Sequence, residues 1–293
     1  MLRSRIESVG VSLPRNGPWK PGSLGHAAKA GSNCLGSSQY LPVDVEMLIN
    51  AGVHRDRHYA EPAFAVYIQN KLGINVEFQR RQTASFDLLN GNCGMLNALH
   101  VLTTMMRSGA IRAGMAIASE VNTDKIPDPA SAITPSGAAI MLDLSPTPDR
   151  GFGTFLFRTF DEYHDLSRST VTLTVEKGQL RIHRDEDLDQ TFLSLLPDVW
   201  EELLESEKTD RDRIDLVIPS QPSADFIAGL PGALGVASEK VVDVFSHYGD
   251  TLSTSPILAL HHARQAGLIE AGTRAVFLAV GSGITIGMAS YDF

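Results

Sequence analysis

Phe86-Asp87-Leu88-Leu89-Asn90-Gly91-Asn92-Cys93-Gly94 decides the reading of this chain. Its first four residues form a short apolar strand pattern. Two glycines then make a sharp turn, and residues 95–107 have the apolar spacing of a helix that ends at Ser108-Gly109. Cys93 therefore stands at a strand-to-helix turn. Backbone N–H groups and the helix dipole stabilise an anion at such a place. That lowers a thiol pKa and offers donors for the oxyanion of a thioester under attack. Cys93 is thus the candidate nucleophile, while Cys34 has no such context and reads as core.

Working outward, strand patterns at 6–13, 45–51, 115–119, 138–144 and 275–280 alternate with helix patterns at 24–36, 62–72 and 188–204. Pro197 predicts a kink or break in the last helix. Apolar–polar alternation over 171–176 predicts an antiparallel edge. The alternation of strands and helices predicts an α/β fold, a parallel or mixed sheet with helices on both faces.

The chain also repeats itself. Ser108-Gly109-Ala110-Ile111-Arg112-Ala113-Gly114 matches Ala266-Gly267-Leu268-Ile269-Glu270-Ala271-Gly272, each leading from a helix into a buried strand. Leu72-Gly73-Ile74 likewise matches Leu234-Gly235-Val236. Two halves related by a pseudo-two-fold axis are expected, about 1–145 and 146–293, in a single unit 1–293. In that frame Cys93 and Asp250 occupy nearly equivalent turns, which predicts that a thiol and a carboxylate share one site. Gly281-Ser282-Gly283, after the last buried strand pattern, is a further candidate oxyanion donor or acyl-chain site.

Composition excludes several classes. Among 293 residues, 34 acidic against 25 basic side chains give a net charge of -9. The densest basic run is Gln79-Arg80-Arg81, so no nucleic-acid surface is expected. Two cysteines in different patterns predict reduced thiols and a cytoplasmic protein. Met1-Leu2-Arg3-Ser4-Arg5 lacks the apolar run of a signal peptide, and no stretch is long enough to span a membrane. His54 and His58 are four apart, but nothing around them makes a metal site, so no metal is expected.

Four segments, in order, resemble the ketoacyl-ACP synthase III branch of the thiolase superfamily. Phe86 to Gly94 resembles its nucleophile segment, and Val217-Ile218-Pro219-Ser220-Gln221-Pro222 the segment of its catalytic His. Tyr248-Gly249-Asp250-Thr251-Leu252-Ser253 resembles the segment of its catalytic Asn, and Gly281-Ser282-Gly283-Ile284-Thr285-Ile286-Gly287 its terminal glycine turn. The resemblance implies a thiolase fold, five-layered αβαβα. It also implies a homodimer and an acyl-Cys intermediate formed from acyl-CoA or acyl-ACP, with no bound cofactor.

Two positions depart from the family. Ser220 stands where it has His, and Asp250 where it has Asn. Serine is no base near neutral pH, and an ionised Asp only accepts hydrogen bonds and would repel an enolate. Those changes speak against decarboxylative condensation and for transfer of the acyl group from Cys93 to an alcohol, amine or other acceptor. Asp250 would prepare the acceptor together with His247 or Ser220, and His247, three residues before Asp250, would replace the missing base. His100, on the helix after Cys93, is expected to pack beneath it. Two alternatives remain: a carbon–carbon-forming condensing enzyme with a rebuilt catalytic set, and a non-catalytic partner of a thiolase-fold paralogue in a heterodimer.

Overall fold

The computed structural model describes residues 3–13, 20–76, 83–172 and 178–293. The basic run at 79–81 and positions 173–176 of the alternating stretch lie outside them.

The first half runs β1 (Ser4–Ser12), α1 (Ser23–Gly36), β2 (Met47–Asn50), α2 (Phe64–Leu72), β3 (Ala84–Asp87), α3 (Gly94–Arg107), β4 (Ala113–Glu120) and β5 (Ser136–Leu144). The second runs β6 (Gly151–Thr159), the hairpin β7 (Ser167–Thr172) and β8 (Gln179–Arg184), α4 (Leu188–Glu207), β9 (Leu216–Pro219) and α5 (Ala224–Leu234). It ends with α6 (Phe245–Tyr248), α7 (Ser255–Gln265), β10 (Arg274–Gly281) and β11 (Thr285–Asp292).

The two main sheets repeat one plan. The first has the order β1-β5-β4-β2-β3 and the second β6-β11-β10-β9. In each, the two strand pairs at the first-listed end are antiparallel, while β4–β2, β2–β3 and β10–β9 are parallel. The counterpart of β3 has shrunk to a single bridge between Val217 and Val241. The repeated glycines do the same work in both halves. Gly73 (φ +68) and Gly235 (φ +63) close α2 and α5, with Ile74 N bonded to Gln69 O and Val236 N to Pro231 O. Gly109 (φ +78) and Gly267 (φ +69) close α3 and α7 with matching bonds, Ala110 N to Met105 O and Leu268 N to Ala263 O. Each is the left-handed stop that glycine adopts without a Cβ penalty.

Three apolar clusters define the layers. One joins α1 and α2 to the outer face of the first sheet, through Ala27, Ala30, Phe64 and Ile68. A second holds α3 and α7 between the two sheets, through Leu96, Leu99, Ile257 and Leu260. The third joins α4 and α5 to the second sheet, through Phe192, Trp200, Phe226 and Leu230. The sequence of layers is αβαβα, as expected. β4 is buried along its whole length, the signature of a strand covered on both faces.

Pro197 does not break α4, which runs unbroken through it. Pro197 stands on the exposed face of the helix, so its ring displaces no packed side chain. The strand expected at 45–51 is shorter, Met47–Asn50. Among the described residues no helix is long and apolar enough to cross a membrane.

Candidate active site

The chemistry-bearing residues gather at the carboxyl ends of parallel strands, where open α/β sheets bind ligands. Cys93 follows β3, Glu120 ends β4, Ser220 follows β9, and Gly281 ends β10. His54 lies on the connection after β2.

Cys93 is the N-cap residue of α3. Gly91 (φ +49) lets the chain reverse, and Cys93 N then bonds to Asn90 O at 3.0 Å. The thiol is fully buried, with Sγ 3.3 Å from Thr285 O and 3.5 Å from Ala279 O. A Cβ placed on Gly281 would lie 3.3 Å from that sulfur, so the glycine turn covers the thiol at van der Waals range. Burial pushes the Cys93 thiol up to about 12, with only a Gly287 backbone hydrogen bond pulling the other way. The lowered thiol pKa expected from the helix terminus is therefore corrected. The second sheet seals the sulfur against carbonyl oxygens, and desolvation outweighs the dipole.

Ser220 is also fully buried. Its N–H donates to Leu278 O at 2.7 Å and its Oγ accepts from Val280 N at 3.1 Å, so the hydroxyl extends the β9–β10 ladder. Asp250 forms an ion pair with Arg184 Nη2 at 3.1 Å and accepts from Leu252 N at 2.8 Å. Burial nevertheless raises Asp250 to about 6, against the opposing pull of Arg184 and the Leu252 N–H. His247 is exposed. Its Nδ1 lies 3.0 Å from Ser246 Oγ and its ring 5.4 Å from that of His262. His247 lines neither the cavity on the Gly91-Asn92 turn nor the larger one that adjoins it at His54. His100 does not pack beneath Cys93 either; it is exposed and stacks on Phe155 (4.8 Å) and Phe157 (5.7 Å) of β6.

A cavity of about 220 Å³ joins these segments. Gly91 and Asn92 of the Cys93 turn form one side, with Gly281 and Ser282 beside them. Arg184, the partner of Asp250, lines it with Leu252. The remaining wall carries His54 and Glu120. A larger cavity, about 630 Å³, opens on the far side of His54 and shares Val53, His54 and Ser169 with the smaller one. The structure thus brings the Cys93 turn, the glycine turn and the Asp250 segment to one place. It leaves Ser220 within the sheet and His247 outside.

Sequence reasoning missed His54, Glu120 and Arg184 as site residues. Glu120 is completely buried, and accepts from Val53 N (3.0 Å), His54 N (2.9 Å), His54 Nδ1 (2.8 Å) and Ser253 Oγ. A lone acid closing an apolar strand pattern was the available signal, since an unpaired buried carboxylate is too costly to occur without partners. His54 and His58 do not face a common ion: His58 Nε2 pairs with Asp124 at 2.8 Å. Among the described residues no cluster of three or more His, Cys, Asp or Glu could hold a metal.

Residues 204–293 match the family model of the 3-oxoacyl-[acyl-carrier-protein] synthase III C terminal. β-Ketoacyl-[acyl-carrier-protein] synthase III of Anaplasma marginale is 26% identical over 282 residues, covering 90% of this chain and 82% of that protein. The protein of the same name from Haemophilus influenzae is 25% identical, with the same coverage. Among solved structures, 3-oxoacyl-[acyl-carrier-protein] synthase III of Aquifex aeolicus superposes with a TM-score of 0.86 at 19% identity, covering 99% of this chain and all of that one. Cerulenin-bound OleA of Xanthomonas campestris gives 0.86 at 18% identity, covering all of this chain and 98% of that one. The fold, the layer order and these matches agree: the chain is similar over most of its length to β-ketoacyl-[acyl-carrier-protein] synthase III proteins, and residues 204–293 carry the C-terminal part of that family's model.

Proposed function

We propose that this protein is an acyltransferase that carries its acyl group on Cys93. The donor is an acyl-CoA or acyl-carrier protein. Cys93 sulfur attacks the thioester carbonyl, the bond to the donor sulfur breaks, and the Cys93 proton leaves with the released thiol. The oxygen or nitrogen of an alcohol or amine then attacks the acyl-Cys93 carbonyl. An ester or amide forms, and Cys93 recovers a proton. The observation that carries this reading is the cavity on the Cys93 turn, bounded by Gly281 and by the partner of Asp250. Ser220, buried within the sheet where its Oγ accepts from Val280 N, and Asp250, an acceptor facing Arg184, do not form the pair of donors aimed at one oxygen that a malonyl-derived enolate needs. That disfavours the carbon–carbon-forming alternative. We place the protein in the cytoplasm, as a homodimer.

A second reading has one observation of its own. Cys93 is sealed and donates toward two carbonyl oxygens, as a structural thiol does. A non-catalytic subunit supporting a thiolase-fold paralogue would look like this. Intact-protein mass spectrometry with a panel of acyl-CoAs and acyl-carrier proteins separates the two. One acyl adduct, absent from Cys93→Ala, supports the acyltransferase. No adduct with any donor, together with copurification of a second thiolase-fold chain, supports the subunit.

A further inference from the structure

His54 stands where the two cavities meet, and Val53 and Ser169 line both beside it. Its Nδ1 lies 2.8 Å from Glu120 Oε2. Glu120 is fully buried and already holds the backbone N–H groups of Val53 and His54, so the imidazole has one fixed orientation. A carboxylate at Nδ1 places the ring proton there and leaves the Nε2 lone pair free to accept. Nε2 points to Ser169 Oγ at 3.4 Å, at the junction of the cavities. This is the geometry of an oriented general base. Neither Ser220 nor His247 provides it.

The larger cavity indicates what that base would meet. Its basic side chains are already paired: Arg55 with Asp87 at 2.8 Å, and His58 with Asp124. Val53, Phe86, Leu89, Val171 and Leu180 give it an apolar lining. A neutral molecule with an apolar body fits this lining better than an anion does. Its polar end would lie at His54, facing the small cavity and the Cys93 turn.

We infer that His54, oriented by Glu120, is the general base for a hydroxyl- or amine-bearing acceptor with an apolar body, bound in the larger cavity. The inference rests on the acyl-Cys93 reading. His54 Nε2 takes the acceptor proton as the acceptor atom bonds to the acyl carbon. The carbon–sulfur bond then breaks, and the imidazolium returns the proton to the Cys93 sulfur.

The test separates loading from transfer. Wild type, His54→Gln and Ser169→Ala are loaded with an acyl-CoA that labels wild type, and free donor is removed. Loss of the adduct is then followed by intact mass with 1-hexanol, with hexylamine and in buffer alone. His54→Gln should load to the same extent but transfer roughly 100-fold more slowly, the lower end of what a general base supplies. His54→Ala should regain part of the rate with added imidazole, which a merely structural role would not produce. Ser169→Ala should slow transfer by a clearly smaller factor than His54→Gln, since it removes a neighbour of Nε2 but no proton acceptor from the step. If His54→Gln misfolds by circular dichroism, His54→Asn takes its place. Transfer at the wild-type rate in a loaded His54 variant would overturn the inference and leave the acyl-Cys93 reading intact. Equal loss in Ser169→Ala would overturn it in favour of Ser169 as an acyl relay. A wild type that accepts no acyl group would sink the acyl-Cys93 reading and the role of His54 together.

Discussion

Asp250→Asn should change how stability depends on pH, by an amount the site sets. The carboxyl is raised from 3.8 to about 6, mainly by burial; its side chain keeps only 18% of its accessible surface. A carboxyl raised in the folded state favours folding fully below 3.8, where it is protonated in both states. Above that the unfolded chain ionises first, and the advantage is lost as pH rises through 6. At 1.36 kcal/mol per pKa unit, integration between pH 4.5 and 8 gives a loss of about 2 kcal/mol from this one group. Asparagine keeps the shape and the acceptor for Leu252 N, and it does not titrate. Arg184 loses its counter-ion but is 37% exposed and keeps its bond to Pro222 O at 2.9 Å, so solvent can take over. Urea unfolding of both proteins, followed by tryptophan fluorescence at several pH values, gives the difference curve directly. The variant should gain about 2 kcal/mol on wild type between pH 4.5 and 8. Parallel stability curves would show that Asp250 is not held in a desolvated environment. A difference that narrows with rising pH would show that Arg184 dominates over burial.

Three more outcomes follow from the same packing. Gly281→Val adds branches from a Cβ position 3.3 Å from Cys93 Sγ; it should slow acyl loading at least about 100-fold in a mass time course while costing about 1–3 kcal/mol of stability. Gly10→Ala places a Cβ 2.1 Å from Ala30 O and 2.3 Å from Cys34 N, where β1 packs on α1. Both obstacles are backbone, so a loss of about 3 kcal/mol or more is expected by urea unfolding. Cys34 and Cys93 are both buried with thiols pushed up to about 12, so a colourless-to-yellow disulfide exchange reagent at pH 8 should titrate neither in the native protein and both in denaturant. Prompt reaction of Cys93 in the native protein would mean that the Gly281 turn opens readily.

Where the sequence was legible, local chemistry settled the question. Gly73, Gly109, Gly235 and Gly267 each end a helix because a left-handed residue must stand there, and their repetition along the chain parallels the repeated plan of the two main sheets. The Cys93 turn was legible for the same reason, through Gly91. Its electrostatics were not. Whether a helix-terminal thiol is activated depends on what lies above it, and that is β10 and β11, nearly two hundred residues away in sequence. The surroundings of Ser220 and His247 were equally out of reach of the local sequence. The ladder contact to Val280 absorbs one, and the surface turn carries the other away. His54 was visible only as half of an i, i+4 pair. The carboxylates that divide that pair, Glu120 and Asp124, come from the end of β4 and the loop after it.

The site poses one problem that its parts answer together. A buried thiol with a raised pKa is a poor nucleophile at rest but a good acyl carrier, because the sealed thioester is shielded from water. On the proposed reading such a site needs a base for the acceptor as well as for the sulfur. The residue placed as that base is neither of those in the segments that departed from the family. It lies on the β2–α2 connection, oriented by a glutamate at the end of β4. Ser220 has become part of the ladder, and Asp250 is engaged by Arg184. On the inference drawn above, the proton-handling group lies in the first half of the chain, at the edge of a larger, apolar-lined cavity. A base beside that cavity suits the proposed transfer, in which an oxygen or nitrogen attacks the acyl-cysteine and must lose its proton as the bond forms.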